Sequence, residues 1–297
     1  MTARPLFMFW ATALALLILS GLPADAQHRA KGRADRVRID YVEPKNPEHR
    51  ALYENLKKSG VLEDIRTFMS ALRLPAPLLL KMEGCDGTAN AWYQDHVVTV
   101  CYEYIAEAVR NAPEQPFGDE LTRESAVVGA VTDVFLHEIA HAVFDMLEIP
   151  VFGREEDAAD QLAAYVMLQM GPEDGRRLVA GVAYLYIIDA MRQSPQLKHF
   201  AGAHGLPAQR FFNLICMAYG AHPKTYADIV EKGYLPKERA DDCEHEYAQV
   251  AHAYKVLIAP HTDPRLAERA RSYLRTKKWQ EMLGKEKEKA KVAPAKE

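Results

Sequence analysis

The sequence predicts an α+β fold: a small N-terminal antiparallel sheet packed on one long helix, then a mainly helical C-terminal half. Three observations predict it. Short apolar runs bounded by turn residues lie between Leu78 and Tyr102. A long helical pattern runs from Thr122 to Leu147. The later periodic segments carry Pro near their first turns or are stopped by Gly-Pro.

The chain has 297 residues, of which 48% are hydrophobic and 26% charged. That is enough apolar material for one large domain or two small ones. The formal net charge of −4 provides no basic field for nucleic acid. Residues 1–26 read as a signal peptide. Arg4 precedes an apolar stretch from Leu6 to Leu19, and Ala24-Asp25-Ala26 fits the cleavage rule. The apolar stretch is short against the roughly 20 residues of a membrane span. No later segment reads as apolar enough to cross a bilayer. The expected location is periplasmic or secreted, with the mature chain beginning at Gln27.

Residues 27–46 are polar and basic and are expected to lack order. A helical period follows from Pro47 to Leu72, with a break at Ser59-Gly60. Leu78–Met82, Thr88–Tyr93 and Val97–Tyr102 read as strands, the last two joined at Gln94-Asp95-His96. A short helix is expected from Glu103 to Arg110. A Pro-rich loop to Gly118 leads into the long helix, which Pro150 ends. Further helices are expected at Glu155–Met170, Glu173–Met191, Pro207–Tyr219 and Pro236–Ile258. The principal domain therefore spans 47–260, and 261–297 reads as a charged, solvated tail.

Four cysteines, Cys85, Cys101, Cys216 and Cys243, suit an exported chain with two disulfides. They allow three connectivities, among which the sequence-local pairs Cys85–Cys101 and Cys216–Cys243 are preferred. No two lie at a Cys-x-x-Cys spacing, which argues against a zinc site built from them.

The chemistry concentrates in His137-Glu138-Ile139-Ala140-His141. Two histidines four residues apart on a helix project from one face, as a single tetrahedral zinc ion requires of neighbouring ligands. Glu138 lies about 100° round the helix and can act on water without ligating the metal. The run is flanked by Phe135, Leu136, Val143 and Phe144, so its polar groups sit in a dry helix and need partners. Glu156, on the next helix, is the third ligand expected, with Glu155 beside it as the alternative. Asp160 shares a helical face with Glu156 and can hold the other ring nitrogen of a ligating histidine. Ala159 and Ala163 are small enough to let the two helices approach closely.

This pattern resembles the gluzincin metallopeptidases: His-Glu-x-x-His, then Glu-x-x-Ala-Asp at Glu156 to Asp160. Over about residues 45–250 the chain also resembles a bacterial family of metallopeptidases. The matching landmarks are Asn90-Ala91-Trp92-Tyr93, Cys101-Tyr102-Glu103, Gln209-Arg210-Phe211-Phe212-Asn213 with Cys216, and the Leu235–Tyr247 segment. The resemblance implies a zincin-like fold, one Zn2+ per chain, a peptide or protein substrate, and Glu138 as the general base. Asn90 and Ala91 resemble the edge strand with which thermolysin-like enzymes align a peptide. His204 and Arg210 resemble a His…Arg pair of prenyl-protein proteases, which makes His204 a candidate transition-state stabiliser and Arg210 a substrate contact. Gly205 stands where those enzymes have proline. Tyr184, Tyr186, Tyr219 and His245 compete for the stabilising role. Two rival readings are a zinc-binding scaffold without general protease activity and a metal-free, disulfide-stabilised interaction protein. An intact Glu138 argues against the scaffold.

Overall fold

The structure is a computed structural model and describes residues 36–116, 121–192 and 194–275. The signal-peptide reading, the segment 27–35, part of the Pro-rich loop and the last charged residues lie outside the described residues.

Strand β1 (Val37–Tyr41) opens the described chain. Two helices follow, α1 (Arg50–Ser59) and α2 (Val61–Met69), separated by Gly60 at φ 69°. The left-handed backbone there bends the chain at the break expected from Ser59-Gly60. Then come β2 (Leu78–Glu83), β3 (Ala91–Gln94) and β4 (Val97–Cys101), with α3 (Tyr102–Asn111) directly after β4. The long helix is α4 (Arg123–Met146). It leads to α5 (Glu155–Leu168), α6 (Pro172–Arg192) and α7 (Pro207–Ala221). The chain ends through α8 (Ala227–Glu231), α9 (Lys237–Ala253), a π turn at Tyr254–Ile258 and α10 (Pro264–Arg275).

The fold is α+β, but the sheet is mixed where an antiparallel one was expected. Its order is β1-β2-β4-β3, and β2 pairs in parallel with both β1 and β4. The β3–β4 hairpin is the antiparallel part. The reason lies in the connections. Parallel neighbours need a long crossover, which α1 and α2 provide between β1 and β2. The hairpin turn places Asp95 and His96 at φ 49° and 64°, the paired left-handed geometry that suits the twist of two strands.

β1 also corrects the expectation for residues 27–46. Val37-Arg38-Ile39-Asp40-Tyr41 alternates apolar and charged residues, and the basic character of its surroundings hides that period of two. At the other end, residues past 260 remain part of the fold. Leu72 bridges Thr262, the Arg73 backbone N–H donates to His261, and α10 follows.

Helix α4 is the axis of the molecule. The Thr122 hydroxyl accepts from the Ser125 backbone N–H at 3.0 Å, and the Ser125 hydroxyl accepts from the Thr122 N–H at 2.7 Å. This reciprocal cap satisfies two otherwise orphaned donors. One side of α4 packs Phe135, Ile139 and Val143 with Leu80, Met82, Val98 and Val100 of the sheet. Leu136 joins a second core with Ala163, Met167, Leu178, Val182 and Ile215. By length and hydropathy α4 could cross a membrane, contrary to the expectation that no later segment could. Its apolar character is accounted for by burial inside the protein on nearly every side.

Disulfides join Cys85 to Cys101 and Cys216 to Cys243. The first ties the turn after β2 to the end of β4. The second ties α7 to α9, where a Cβ on Gly220 would lie 2.1 Å from the Cys243 carbonyl oxygen.

Glycines also set the α4–α6 crossing. A Cβ on Gly181 would stand 2.4 Å from the Ser125 carbonyl oxygen. Backbone cannot yield as a flexible side chain can. Gly181→Ala is therefore expected to lower unfolding stability by about 2 kcal/mol. Gly84→Ala, with no atom within 4 Å of its Cβ, should stay within about 0.5 kcal/mol. Equilibrium denaturation of the two variants checks the contrast.

Candidate metal centre

Helix α4 carries His137 and His141 on one face, and α5 returns beside it. Helix α4 ends at Met146; Glu148 at φ 52° and Gly153 at φ 93° then turn the chain. Ala159 and Ala163, both essentially inaccessible, sit where the two helices meet. The first turn of α5 therefore delivers its acidic residues directly to the histidines.

Four atoms converge, one of them His204 Nε2 at 2.8 Å from Glu156 Oε2. His137 Nε2 lies 3.0 Å from Glu156 Oε2, His141 Nε2 lies 3.3 Å from the same oxygen, and the two nitrogens are 3.2 Å apart. A tetrahedral ion with ligand bonds of about 2.0–2.1 Å needs ligand atoms roughly 3.3 Å apart. The triangle fits that requirement.

The other ring nitrogens are also engaged. His137 Nδ1 is 2.8 Å from Asp160 Oδ1, and His141 Nδ1 is 2.7 Å from Glu155 Oε1. Each contact turns Nε2 toward the common point. Glu155, the alternative ligand in the sequence, thus stands on the far side of His141 from the triangle. Asp160 is itself clamped by Arg210 of α7, whose Nε and Nη2 donate to Oδ2 and Oδ1 at 2.7 and 2.6 Å. The Arg210 guanidinium lies 4.5 Å from the centre of the Tyr186 ring, and the Tyr186 hydroxyl donates to Asp133 at 2.9 Å.

These contacts govern the charges. Burial would lower the His137 pKa, but the bonds to Asp160 and Glu156 outweigh it and push it up to about 10. The bond from His137 holds Glu156 at about 2, against burial. Burial would raise Asp160, yet His137 and Arg210 hold it at about 2. Glu138 behaves differently. It is 7% exposed, and burial raises its pKa although the neighbouring histidines and the Tyr93 amide pull the other way.

A cleft of about 570 Å³ opens on this cluster. Its wall includes Asn90, Ala91 and Trp92 at the start of β3, which is the edge of the sheet. The Tyr93 hydroxyl donates to Asp145 of α4 at 2.6 Å and ties that edge to the helix. His204, on the strap between α6 and α7, also lines the cleft. Its Nε2 is 2.8 Å from Glu156 Oε2, and its ring stacks on His137 with centroids 5.6 Å apart. Burial lowers its pKa. The competing residues lie elsewhere. Tyr184 packs beside Leu121 and Ala126, Tyr219 belongs to the second core, and His245 is exposed on α9. Tyr186 reaches the site only through Arg210 and Asp133.

Sequence reading passed over Asp133 and the position of Glu155. Asp133 carried a signal: it is a charge four residues before His137 within an apolar helix, the setting in which a polar group needs a partner.

Two imidazoles and a carboxylate focused on one point, each imidazole held from behind by an acid, are a donor set that could hold a metal ion. The model of a family described as "Putative metallopeptidase" matches residues 41–258, and the chain belongs to that family. Membership implies a metal cofactor and a peptide or protein substrate. No curated protein and no solved structure matches the chain.

The shifted groups predict a stability profile for metal-stripped protein. Glu156 and Asp160 have lowered pKa values, so their contribution is present above about pH 4 and is lost as pH falls toward 2. His137 is raised, so its contribution is full below about pH 6.5 and is lost as pH rises through 10. The thermal midpoint should therefore fall on both sides of a plateau between these limits. Asp160→Asn should flatten both limbs, which differential scanning calorimetry across pH would show.

Proposed function

We propose that the protein is a zinc peptidase of the gluzincin type. His137, His141 and Glu156 hold one Zn2+, and Glu138 is the general base. The observation that carries this reading is the triangle of ligand atoms with 3.0–3.3 Å sides and Glu138 beside it. Two imidazoles and a carboxylate are a donor set suited to zinc in a catalytic site that keeps a fourth position open.

Zinc held there supplies Lewis-acid polarisation and a lowered pKa for water at neutral pH. The chain's own groups do the rest. Glu138, in surroundings that favour its neutral form, accepts a proton from the attacking water and returns it to the departing amine. Asp160 and Glu155 keep both imidazoles aimed. His204, beside Glu156 and stacked on His137, presents its ring to the cleft where charge builds on the scissile carbonyl oxygen. Asn90 and Ala91 align the peptide along the sheet edge, and Arg210 lies at the cleft floor for a substrate carbonyl. The two disulfides fit an oxidising compartment, and with the N-terminal sequence they support export to the periplasm or beyond.

Metal analysis of purified protein should find about one zinc per chain, and His137→Ala should bind less than about a tenth of that. A wild type that takes up no metal after replenishment would end the zinc reading. Glu138→Gln should keep its zinc and lose peptide cleavage by about a thousandfold in kcat. Equal product from wild type and Glu138→Gln would remove Glu138 from the chemistry.

A further inference from the structure

Asp133 is left over once the metal centre is accounted for. It lies on α4 one turn before His137, on the same face. It is 6% exposed and lines the cleft with Tyr104, Val134 and Arg210. Among the described residues its one hydrogen bond comes from the Tyr186 hydroxyl. A carboxylate can accept about four donors, and a nearly buried one with a single partner is unusual.

The neighbouring charges do not fill the gap. Arg210 commits its Nε and Nη2 to Asp160 and lies over the Tyr186 ring. Asp160 is a second carboxylate and adds repulsion. Burial and that repulsion raise Asp133 to about 6, so at neutral pH it is largely ionised and short of donors. The cleft is the side from which donors can come.

We infer that Asp133 forms the base of a specificity subsite for a cationic side chain, lysine or arginine, on the substrate residue next to the scissile bond. This rests on the peptidase reading above. Tyr104 and Val134 offer apolar walls to a methylene stem, while the carboxylate receives the charged head. One helical turn, about 5.4 Å, separates Asp133 from His137 along α4. That spacing suits the side chain flanking the reacting bond and not a remote one. A substrate without the donor leaves the acid unpaired, so the discrimination exceeds what a missing methylene would give. Glu155 and Glu156 in the same cleft carry the same sign, and Arg154 and Arg210 are the opposing charges at its wall.

The test uses zinc-loaded Glu138→Gln protein, with and without Asp133→Asn. Labelled heptapeptides carry Lys, Met or Glu at each position in turn, and binding is read by fluorescence anisotropy. At one position Lys should bind about tenfold more tightly than Met, with Glu weakest. Asp133→Asn keeps the shape and an acceptor for Tyr186, and should bring Lys and Met within about twofold. The inference fails if the parent protein shows no preference for Lys, whatever the behaviour of the variant. It fails equally if the preference survives in Asp133→Asn. A uniform loss for all three peptides would mean that Asp133 only positions Tyr186 and Arg210. Cleavage of the same peptides with Glu138 intact separates the two claims. Charge-dependent binding without any cleavage would sink the peptidase reading and leave Asp133 as the base of a cation-binding site only.

Discussion

The contact between Asp160 and His137 is the constraint on which the centre depends. A histidine ring on a helix can rotate, and either nitrogen can face outward. Asp160 removes that freedom by holding Nδ1 at 2.8 Å, which leaves Nε2 toward Glu156 and His141. Asp160 is in turn fixed by two bonds from Arg210, so its own rotation is blocked. Three helices, α4, α5 and α7, therefore meet at one carboxylate. Removing Arg210 would leave an acid with 18% side-chain exposure facing one histidine alone. Breaking a largely buried pair on one side costs more than the pair contributes net.

The convergence of the two histidines was legible in the sequence because it is local. His137, Glu138 and His141 occupy five residues of one helix, and helical geometry alone places the two imidazoles on a common face. Glu156 and Asp160 could be read because a short loop forces α5 back along α4 and the alanines permit contact. The outer groups were less legible. Asp160 four residues on singles out Glu156 by spacing, but it does not say where Glu155, in the same first turn of α5, will point. Their separation, one acid at His137 Nε2 and the other at His141 Nδ1, depends on how α5 is rotated against α4. His204 and Arg210 come from a third element, and Asp133 meets Tyr186 across 53 positions of sequence. Such encounters are decided by packing, not periodicity.

The sheet shows the same division. The β3–β4 hairpin was readable from its own turn residues, whereas the parallel pairing of β1 with β2 needed knowledge of where α1 and α2 carry the chain. The alternation of Val37 to Tyr41 was present but sat in a basic segment that reads as polar overall. The longer helices were found to within a few residues, but the short α8 (Ala227–Glu231) and the helix past Ile258 were not expected. There, pairing of residues 71–73 with 261–263 holds the chain in the fold beyond the apparent end of apolar periodicity.

Strand β3 has a consequence of a different kind. It is the outer strand of the sheet, so one row of its backbone groups meets no neighbour among the described strands. An open edge is a template for any extended chain, including another copy of the protein, and long flat edges of this kind lead to aggregation. Here the edge is four residues long and ends in a turn with two left-handed residues, Asp95 and His96. Its length admits a short peptide but gives a second sheet little to grow on. Ala91, Trp92 and Tyr93 are thus at once the open edge of the sheet and part of the cleft wall, so lengthening this strand would change both.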